Sequence, residues 1–539
     1  RPGPYCCAEV EYGGIPYWTA KSENAGVKIR SADPKYVAWS KRYIDRVAQE
    51  VADLQVTRGG PLLMVQIENE FGMVAGASGG YAYIDALHDI FKQDFQVPLF
   101  VCDPGSFSGP GGRSGYPADV LRGRNGLKSQ ADYNQAAAVA GDFPVYAPEV
   151  YTAWFSGWGQ PIATKNATVP AIVDWTNSLL NYNTSWCYYM FFGGTNWGYN
   201  TGCNEYLPLQ TTYDYSAPID EAGRTTEKFR ALRELLAKRT GRTLPQPPRE
   251  PLVSAVSPIK FTEHQALLAR LPTGQIQEAS QPSKPLSMED LNQAYGFVDY
   301  RKTFSKGIKG TLELRQARDY AITMVNGKTV GKSFIGLGAD SNKITLDESG
   351  PVTLDILIHN LGRISVITSA NSQERARKGL IGGAYLDGVE LTNWEMFSLP
   401  LANVQVIQPS DAPHTGPTFY HAKFDLASKS SDQTEMASTF LDLRNFSFGI
   451  VWVNGHNLGR FWDRGGARSL FLSGHFLKPG TNDITVLELH EAPKNPEIAS
   501  SDHMIETPAV PFALRLDTPA AGGAGPGRRG AAPGAGSAP

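Results

Sequence analysis

Two stretches of this chain place carboxylates where they could do chemistry. In Leu62 to Gly72, LLMVQIENEFG, five apolar residues and a glutamine lead into Glu68 and Glu70, with Asn69 between them. In PVYAPEVYTAWFSGWGQ, Glu149 again follows an apolar run and is followed by Tyr151, Trp154 and Trp158. A continuous apolar run reads as a parallel strand buried on both faces, and such strands deliver their last side chains to a site at their carboxyl ends. Two carboxyls brought together this way suit the breaking of a glycosidic bond. One protonates the leaving oxygen while the other, about 5 to 5.5 Å away when configuration is retained, attacks the anomeric carbon. Asn69 carries both a donor and an acceptor and is suited to a sugar 2-hydroxyl. Strict alternation puts Glu68 and Glu70 on the same face, so periodicity leaves both open as the acid.

The elements that must hold these residues alternate between strand and helix. Pro4 to Glu9 reads as a short strand, and Tyr12 to Trp18 (YGGIPYW) as a loop over the same face. Asp33 and Pro34 supply an N-cap and a first-turn proline, followed by a helix whose inner face runs through Val37, Ile44, Val47, Val51 and Leu54. Further helices are expected near Tyr81 to Phe95, Val169 to Tyr182 and Glu227 to Lys238. Strands are expected at Pro98 to Cys102, within Asp119 to Tyr133, at the Glu149 run and at Ser185 to Phe192. This is the alternation of a (β/α) barrel, with six strands rather than eight. LPQPPREP from Leu244 is a proline-rich linker, and short β-type runs with turn signals follow it. Among them VNGKTVGK (Val325 to Lys332) and VNGHNLGR (Val453 to Arg460) repeat one pattern. Asn-Gly between β runs favours a type I′ turn, which makes each an architectural hairpin in its own β-sandwich.

Composition narrows the functions. The net charge is −3 over 539 residues, with no basic stripe, which argues against a nucleic-acid or anionic-membrane partner. No apolar run is long enough to span a bilayer. The five cysteines, Cys6, Cys7, Cys102, Cys187 and Cys203, lack CxxC spacing and read mostly as buried strand thiols. No HExxH occurs among the nine histidines, and His88 falls in a helix as a structural residue, so neither a metal site nor a cofactor is expected. Aromatics make up 11% of the chain, a supply suited to sugar stacking and equally to β cores.

RPGPYCCAEVEYGGIPYW, VQIENEFG, APEVYTAWFSGWGQ, YMFFGGTNWGYNTG and TTYDYSAPIDEAG, in that order, resemble the β-galactosidases of glycoside hydrolase family 35. FGIVWVNGHNLGRFW extends the resemblance into a carboxyl-terminal jelly-roll domain, so that it covers Arg1 to about Glu491. The resemblance implies that Glu70 is the general acid and base and Glu149 the nucleophile. It implies that Cys7, Ala8, Glu9, Asn69, Tyr189 and Tyr215 surround galactose, and that Tyr151 and Trp154 line the nucleophile side. The implied substrate is a β-galactoside oligosaccharide or polysaccharide side chain, cleaved from its non-reducing end, in an extracytoplasmic or lysosome-like setting. Sequons at Asn166, Asn183 and Asn445 bear on such a setting only in a glycosylating host.

The expected architecture is multidomain, α/β followed by all-β. A TIM-type barrel represented by strands 3 to 8 of eight occupies residues 1–244, and the linker 245–252. A small β region follows at 253–290, then jelly-roll β domains at 291–405 and 406–517, and a disordered Ala/Gly/Pro tail at 518–539. Because the family barrel has two strand and helix units before RPGPY, this chain taken alone is expected to be poorly stable or inactive. The alternatives are a galactose-binding protein without catalysis and an exo-hydrolase of another β-hexoside such as a glucosaminide. Oligomeric state is left open.

Overall fold

The computed structural model describes residues 1–76, 79–104, 115–204, 207–270, 284–334, 337–338, 341–367, 372–402, 404, 415–426 and 436–512. The expected tail at 518–539 lies outside them.

Strands β1 (Val65–Gln66), β2 (Leu99–Pro104), β3 (Leu121–Asn125), β4 (Tyr146–Tyr151) and β5 (Ser185–Tyr189) alternate with helices from Pro34 to Thr240. The helices are α1 (Pro34–Glu50), α2 (Ala82–Asp94), α3 (Gln130–Ala140), α4 (Val169–Asn181) and α5 (Glu227–Thr240). β1, β2 and β3 pair in parallel, as do β4 and β5. The Gly126 N–H donates to the Glu149 carbonyl at 2.9 Å and joins the two sets. The arrangement is that of a (β/α) barrel, with strand carboxyl ends gathered on one side.

Asp33 caps α1 by accepting from the Lys35 N–H, and Pro34 stands at its first turn. Its buried face is Tyr36, Ser40, Ile44 and Ala48; of the expected row Ile44 is fully buried and Val37 and Val51 pack half-buried against the same core, while Leu54 is 49% exposed beyond the helix end. Hydropathy passes over Ser40, yet its hydroxyl donates to the Tyr36 carbonyl at 2.9 Å and is thereby buried at little cost. Helix α3 had no apolar stripe to announce it. It is started instead by a capping box in which Ser129 and Asp132 satisfy each other's backbone N–H groups.

The strand expected over Pro4 to Glu9 is reduced to one parallel bridge, Gly3 to Ile67. Cys7, Ala8 and Glu9 all have positive φ (55°, 50° and 52°), and left-handed backbone cannot continue a ladder. The thiols also depart from expectation: Cys102 and Cys203 are buried, Cys6 and Cys7 are half-buried in this turn, and Cys187 is exposed.

Two β-sandwiches follow. The first packs a five-stranded sheet, in the order Lys328–Ser333, Tyr320–Val325, Val352–His359, Phe297–Phe304, Glu395–Leu399, against a four-stranded one centred on Gly307–Leu314. The second packs Glu263–Ala266, Thr418–Leu426, Gly480–Glu488, Phe448–Val453 and His456–Trp462 against a four-stranded sheet containing Thr439–Asp442. Ile259–Lys260 and Glu263–Ala266 therefore pair into the second sandwich rather than forming the separate small β region expected at 253–290. Both Asn-Gly hairpins sit at the edge of a five-stranded sheet with left-handed turn residues, Asn326 and Gly327 in one and Asn454 and Gly455 in the other. Each has a register shift at the matching place, Thr323/Met324 and Val451/Trp452. A third core joins the two five-stranded sheets, with Phe297, Ile322 and Leu357 facing Phe419, Ile450 and Leu487. Trp158 belongs to that core and not to the carboxylate site.

Candidate active site

β1 ends before its acids, and this separates them. Glu68 and Glu70 both have positive φ (56° and 48°), so the strand alternation that would align them does not apply. Glu68 turns inward and is fully buried. Its two oxygens accept from Arg30 Nε and Nη2, each at 2.7 Å, and one of them also accepts from the Asn69 N–H. Glu70 turns the other way and accepts from Asn125 Nδ2 at 2.9 Å, at the carboxyl end of β3. Burial first, and then the charge of Glu149, push the Glu70 carboxyl up to about 7.

Glu149 lies within β4, 6% exposed, where the pairing with β5 shifts register between Ala147 and Val150. Arg1 Nη2 donates to one of its oxygens at 2.5 Å and the Tyr151 hydroxyl to the other at 3.0 Å. The same Arg1 donates through Nε to Gln66 at 2.9 Å and lies over the Tyr189 ring at 5.5 Å. Gln66 in turn donates to Asn69 Oδ1 at 3.2 Å, and so does the thiol of Cys102, also at 3.2 Å. The side chains of Glu149 and Asn69 are thus tied to one polar network.

Glu9 forms the third acidic point. It accepts from the Tyr213 hydroxyl and from the Tyr189 hydroxyl, the latter at 3.2 Å, with the Cys7 thiol at 3.9 Å. Burial raises it to about 7 in spite of these donors. Tyr215 is buried with its ring edge-on to Tyr189 (5.7 Å) and tilted against Tyr213 (5.2 Å). Trp154 stands one ring further from Glu149, edge-on to Tyr151 at 5.0 Å. Asp103, at the end of β2, accepts from Tyr116 and from the Gly72 N–H and is raised by burial to about 7.

The expected residues Cys7, Glu9, Asn69, Glu70, Glu149, Tyr151, Tyr189 and Tyr215 therefore converge on one site, with Ala8 in its turn and Trp154 at its margin. Arg1, Arg30, Gln66, Asn125 and Tyr213 also belong to it and were not expected. Tyr213 was findable only as a second tyrosine in TTYDYSAP; alternation does not link it to Tyr215, which has positive φ (60°) and lies outside the strand Thr212–Tyr213. Asn125 ends the strand suspected within Asp119 to Tyr133. Arg1 and Arg30 carry no local signal, since their partners are 148 and 38 positions away. His88 pairs with Asp119 at 2.9 Å on α2, away from this site. Among the described residues no group of three or more His, Cys, Asp or Glu is placed to hold a metal ion, and no helix is long and apolar enough to cross a membrane.

Residues 1–239 match the family model for glycosyl hydrolases family 35. Residues 285–400 match the first all-beta domain of beta-galactosidase, and residues 417–482 its galactose-binding domain. A beta-galactosidase of Xanthomonas manihotis is 32% identical over 481 residues, covering 88% of this chain and 76% of the relative. A beta-galactosidase of Homo sapiens is 31% identical over 559 residues, covering 96% and 79%. Among solved structures, endo-glycoceramidase II from Rhodococcus sp. matches at 14% identity over 63% of this chain and 66% of that one. Its TM-score of 0.23 is too low to bear on the fold.

Proposed function

The chain belongs to glycosyl hydrolases family 35 and is a glycoside hydrolase of the beta-galactosidase type, and from that premise we propose that it removes terminal β-D-galactose with retention, by double displacement. Its substrates are then β-galactoside oligosaccharides or polysaccharide side chains, met in an extracytoplasmic setting.

In this reading Glu70 is the general acid and base and Glu149 the nucleophile. The observation that carries it is the pairing of two differently partnered carboxyls in one buried site. Glu70 is buried, has an amide as its hydrogen-bond partner and stands near the negative charge of Glu149, which together outweigh the more distant Arg1, so it holds its proton up to about pH 7 and can give it to the leaving oxygen. Glu149 faces a guanidinium and a phenol, partners that a carboxylate accepts from, and it attacks the anomeric carbon. Having given its proton to the leaving group, Glu70 is ionised in the galactosyl ester; with Glu149 esterified and uncharged beside it, it stays so and takes a proton from the incoming water. Asn69 holds the 2-hydroxyl, where a hydrogen bond strengthens as the ring becomes oxocarbenium-like. Glu9, with Tyr189 and Tyr213, takes the hydroxyls further round the sugar.

Trapping with a 2-fluoro galactoside bearing an activated leaving group tests this. Peptide mass analysis is expected to find the label on Glu149. Galactose release from an aryl β-galactoside with no trapped ester, or with label on another residue, would overturn the double displacement through Glu149. Binding of galactose with no turnover would leave only a lectin-like role.

A further inference from the structure

The connection Asn360 to Ile367, after the strand Val352–His359 of the first sandwich, is a loop whose strand pairing is a single parallel bridge, Ile364 to Cys203, yet it is buried. Asn360, Arg363 and Ser365 are each 0% exposed, and Ile367 is 2% exposed. Loops normally run over the surface, because buried backbone without partners is costly. The partners here are informative. The Leu361 N–H and the Gly362 carbonyl bond within the sandwich, to Asp319 and Lys378, each at 2.8 Å. From Arg363 onward the partners belong to the α/β unit. The Arg363 carbonyl accepts from the Cys203 N–H at 3.0 Å, and the Ser365 N–H donates to the Cys203 carbonyl at 2.9 Å. The Ser365 carbonyl accepts from the Tyr5 hydroxyl at 2.9 Å, the Ile367 N–H donates to that hydroxyl at 3.1 Å, and the Ile367 carbonyl accepts from Arg30 Nη1.

Arg30 is the same guanidinium that grips both oxygens of Glu68 and, at 2.7 Å, the Asn69 carbonyl, and it lies 3.8 Å over the Tyr5 ring. The left-handed backbone at Glu68 and Glu70 is costly and persists only where its surroundings over-determine it. Arg363 anchors the loop at its other end. It is buried between Glu289 of the sandwich, which accepts from its Nε at 2.9 Å, and Glu11, two residues beyond Glu9.

We propose that Asn360 to Ile367 is a positioning strap by which the first β-sandwich holds the Glu68–Asn69–Glu70 turn in catalytic register, with Tyr5 and Arg30 as the positioning residues that transmit it. This rests on the reading of Glu70 as acid and base. The strap touches no substrate; it fixes where the Glu70 carboxyl stands relative to the leaving oxygen, and a small misplacement there falls on the step that needs proton donation. Loss of the strap therefore costs most where the leaving group is poor and little where it departs unaided.

Tyr5→Phe in the full chain removes both hydroxyl contacts to the strap and keeps the ring beneath Arg30. Its kcat/KM on phenyl β-galactoside, which reports the step that protonates the leaving oxygen and not the later attack of water, is expected to fall about tenfold, and its kcat/KM on dinitrophenyl β-galactoside less than about threefold. Arg363→Lys, which keeps a cation, is expected to show the same pattern more weakly, and Lys309→Ala, a surface ion pair of the same sandwich, no change. Parallel losses on both substrates, or wild-type kinetics with a lowered melting temperature alone, would make the strap merely structural and overturn the proposal. Failure of the underlying reading is separately visible: Glu70→Gln would then turn over phenyl β-galactoside as fast as the wild type, whatever the strap variants do.

Discussion

Two pairs of neighbouring carboxyls among the described residues stand beside one arginine each and invite comparison. At the barrel site they are Glu70 and Glu149 with Arg1; in the first β-sandwich they are Asp299 and Asp355, on neighbouring strands, with Arg301 Nε donating to Asp355 at 2.5 Å. Burial and then the neighbouring acid raise one carboxyl in each pair, Glu70 to about 7 and Asp299 well above its ordinary value. A shifted acid alone therefore does not mark a site. The difference lies in what surrounds the pair. Glu70 and Glu149 stand at or near strand ends with Asn125, Tyr151 and a set of tyrosines arrayed about them. Asp299 is 0% exposed in mid-strand, and neither of its oxygens has a hydrogen-bond donor. In the first pair Glu70 is half-buried and so open to approach, whereas both acids of the second are buried, at 0% and 2% exposed, and sealed.

Removing one acid from each pair should break the likeness most completely. Glu149→Ala is expected to lower kcat on the order of 10⁴-fold, because the role of nucleophile proposed for it has no substitute. Asp355→Asn should leave kcat within about twofold, since it is remote from the reacting atoms, while lowering the melting temperature. Comparable activity losses from the two changes, measured on soluble protein, would erase the distinction between an open and a sealed pair.

A smaller effect separates Glu70 from the acid beside it in sequence. Glu70→Gln is expected to slow phenyl β-galactoside hydrolysis about 10²- to 10⁴-fold, the usual worth of general acid catalysis. Azide should restore turnover of a dinitrophenyl substrate by attacking the galactosyl ester and releasing galactosyl azide. Glu68→Gln breaks a buried two-bond ion pair and should cost about 3 to 5 kcal/mol of stability, but azide should not accelerate it, because the proton donor remains. Azide rescue of Glu68→Gln in place of Glu70→Gln would exchange their roles.

The sequence made some of this legible and hid the rest for physical reasons. Strand-end acids were visible because an apolar run stopping at a carboxylate is a local pattern, and the hairpins because Asn-Gly needs left-handed backbone. Choosing between Glu68 and Glu70 was beyond periodicity, since the strand stops at Gln66 and both residues leave the β region. The family motif made that choice, and the geometry gives a cause, Arg30, whose link to Glu68 is a contact between distant parts of the chain. The edge strands at Ile259–Lys260 and Glu263–Ala266 were misassigned for a related reason. They are too short to show a pattern, and their partners lie more than 150 residues further on.

The smallest effect concerns pH. Asp299 is raised in the folded protein above its unfolded value, so it favours folding fully below the ordinary aspartate range, and that contribution is lost as pH rises through its folded pKa. Glu9, Glu70 and Asp103, each raised to about 7, act in the same direction between their unfolded values and about pH 7. The melting temperature should therefore fall from pH 5 to pH 8. Asp299→Asn keeps a donor for Asp355 and cannot ionise, so it should flatten that fall by a few degrees while leaving the pH profile of kcat, which follows Glu70, where it was. An unaltered slope in the variant would mean that Asp299 does not titrate differently on folding, and the sealed pair would then resemble the open one only in its geometry.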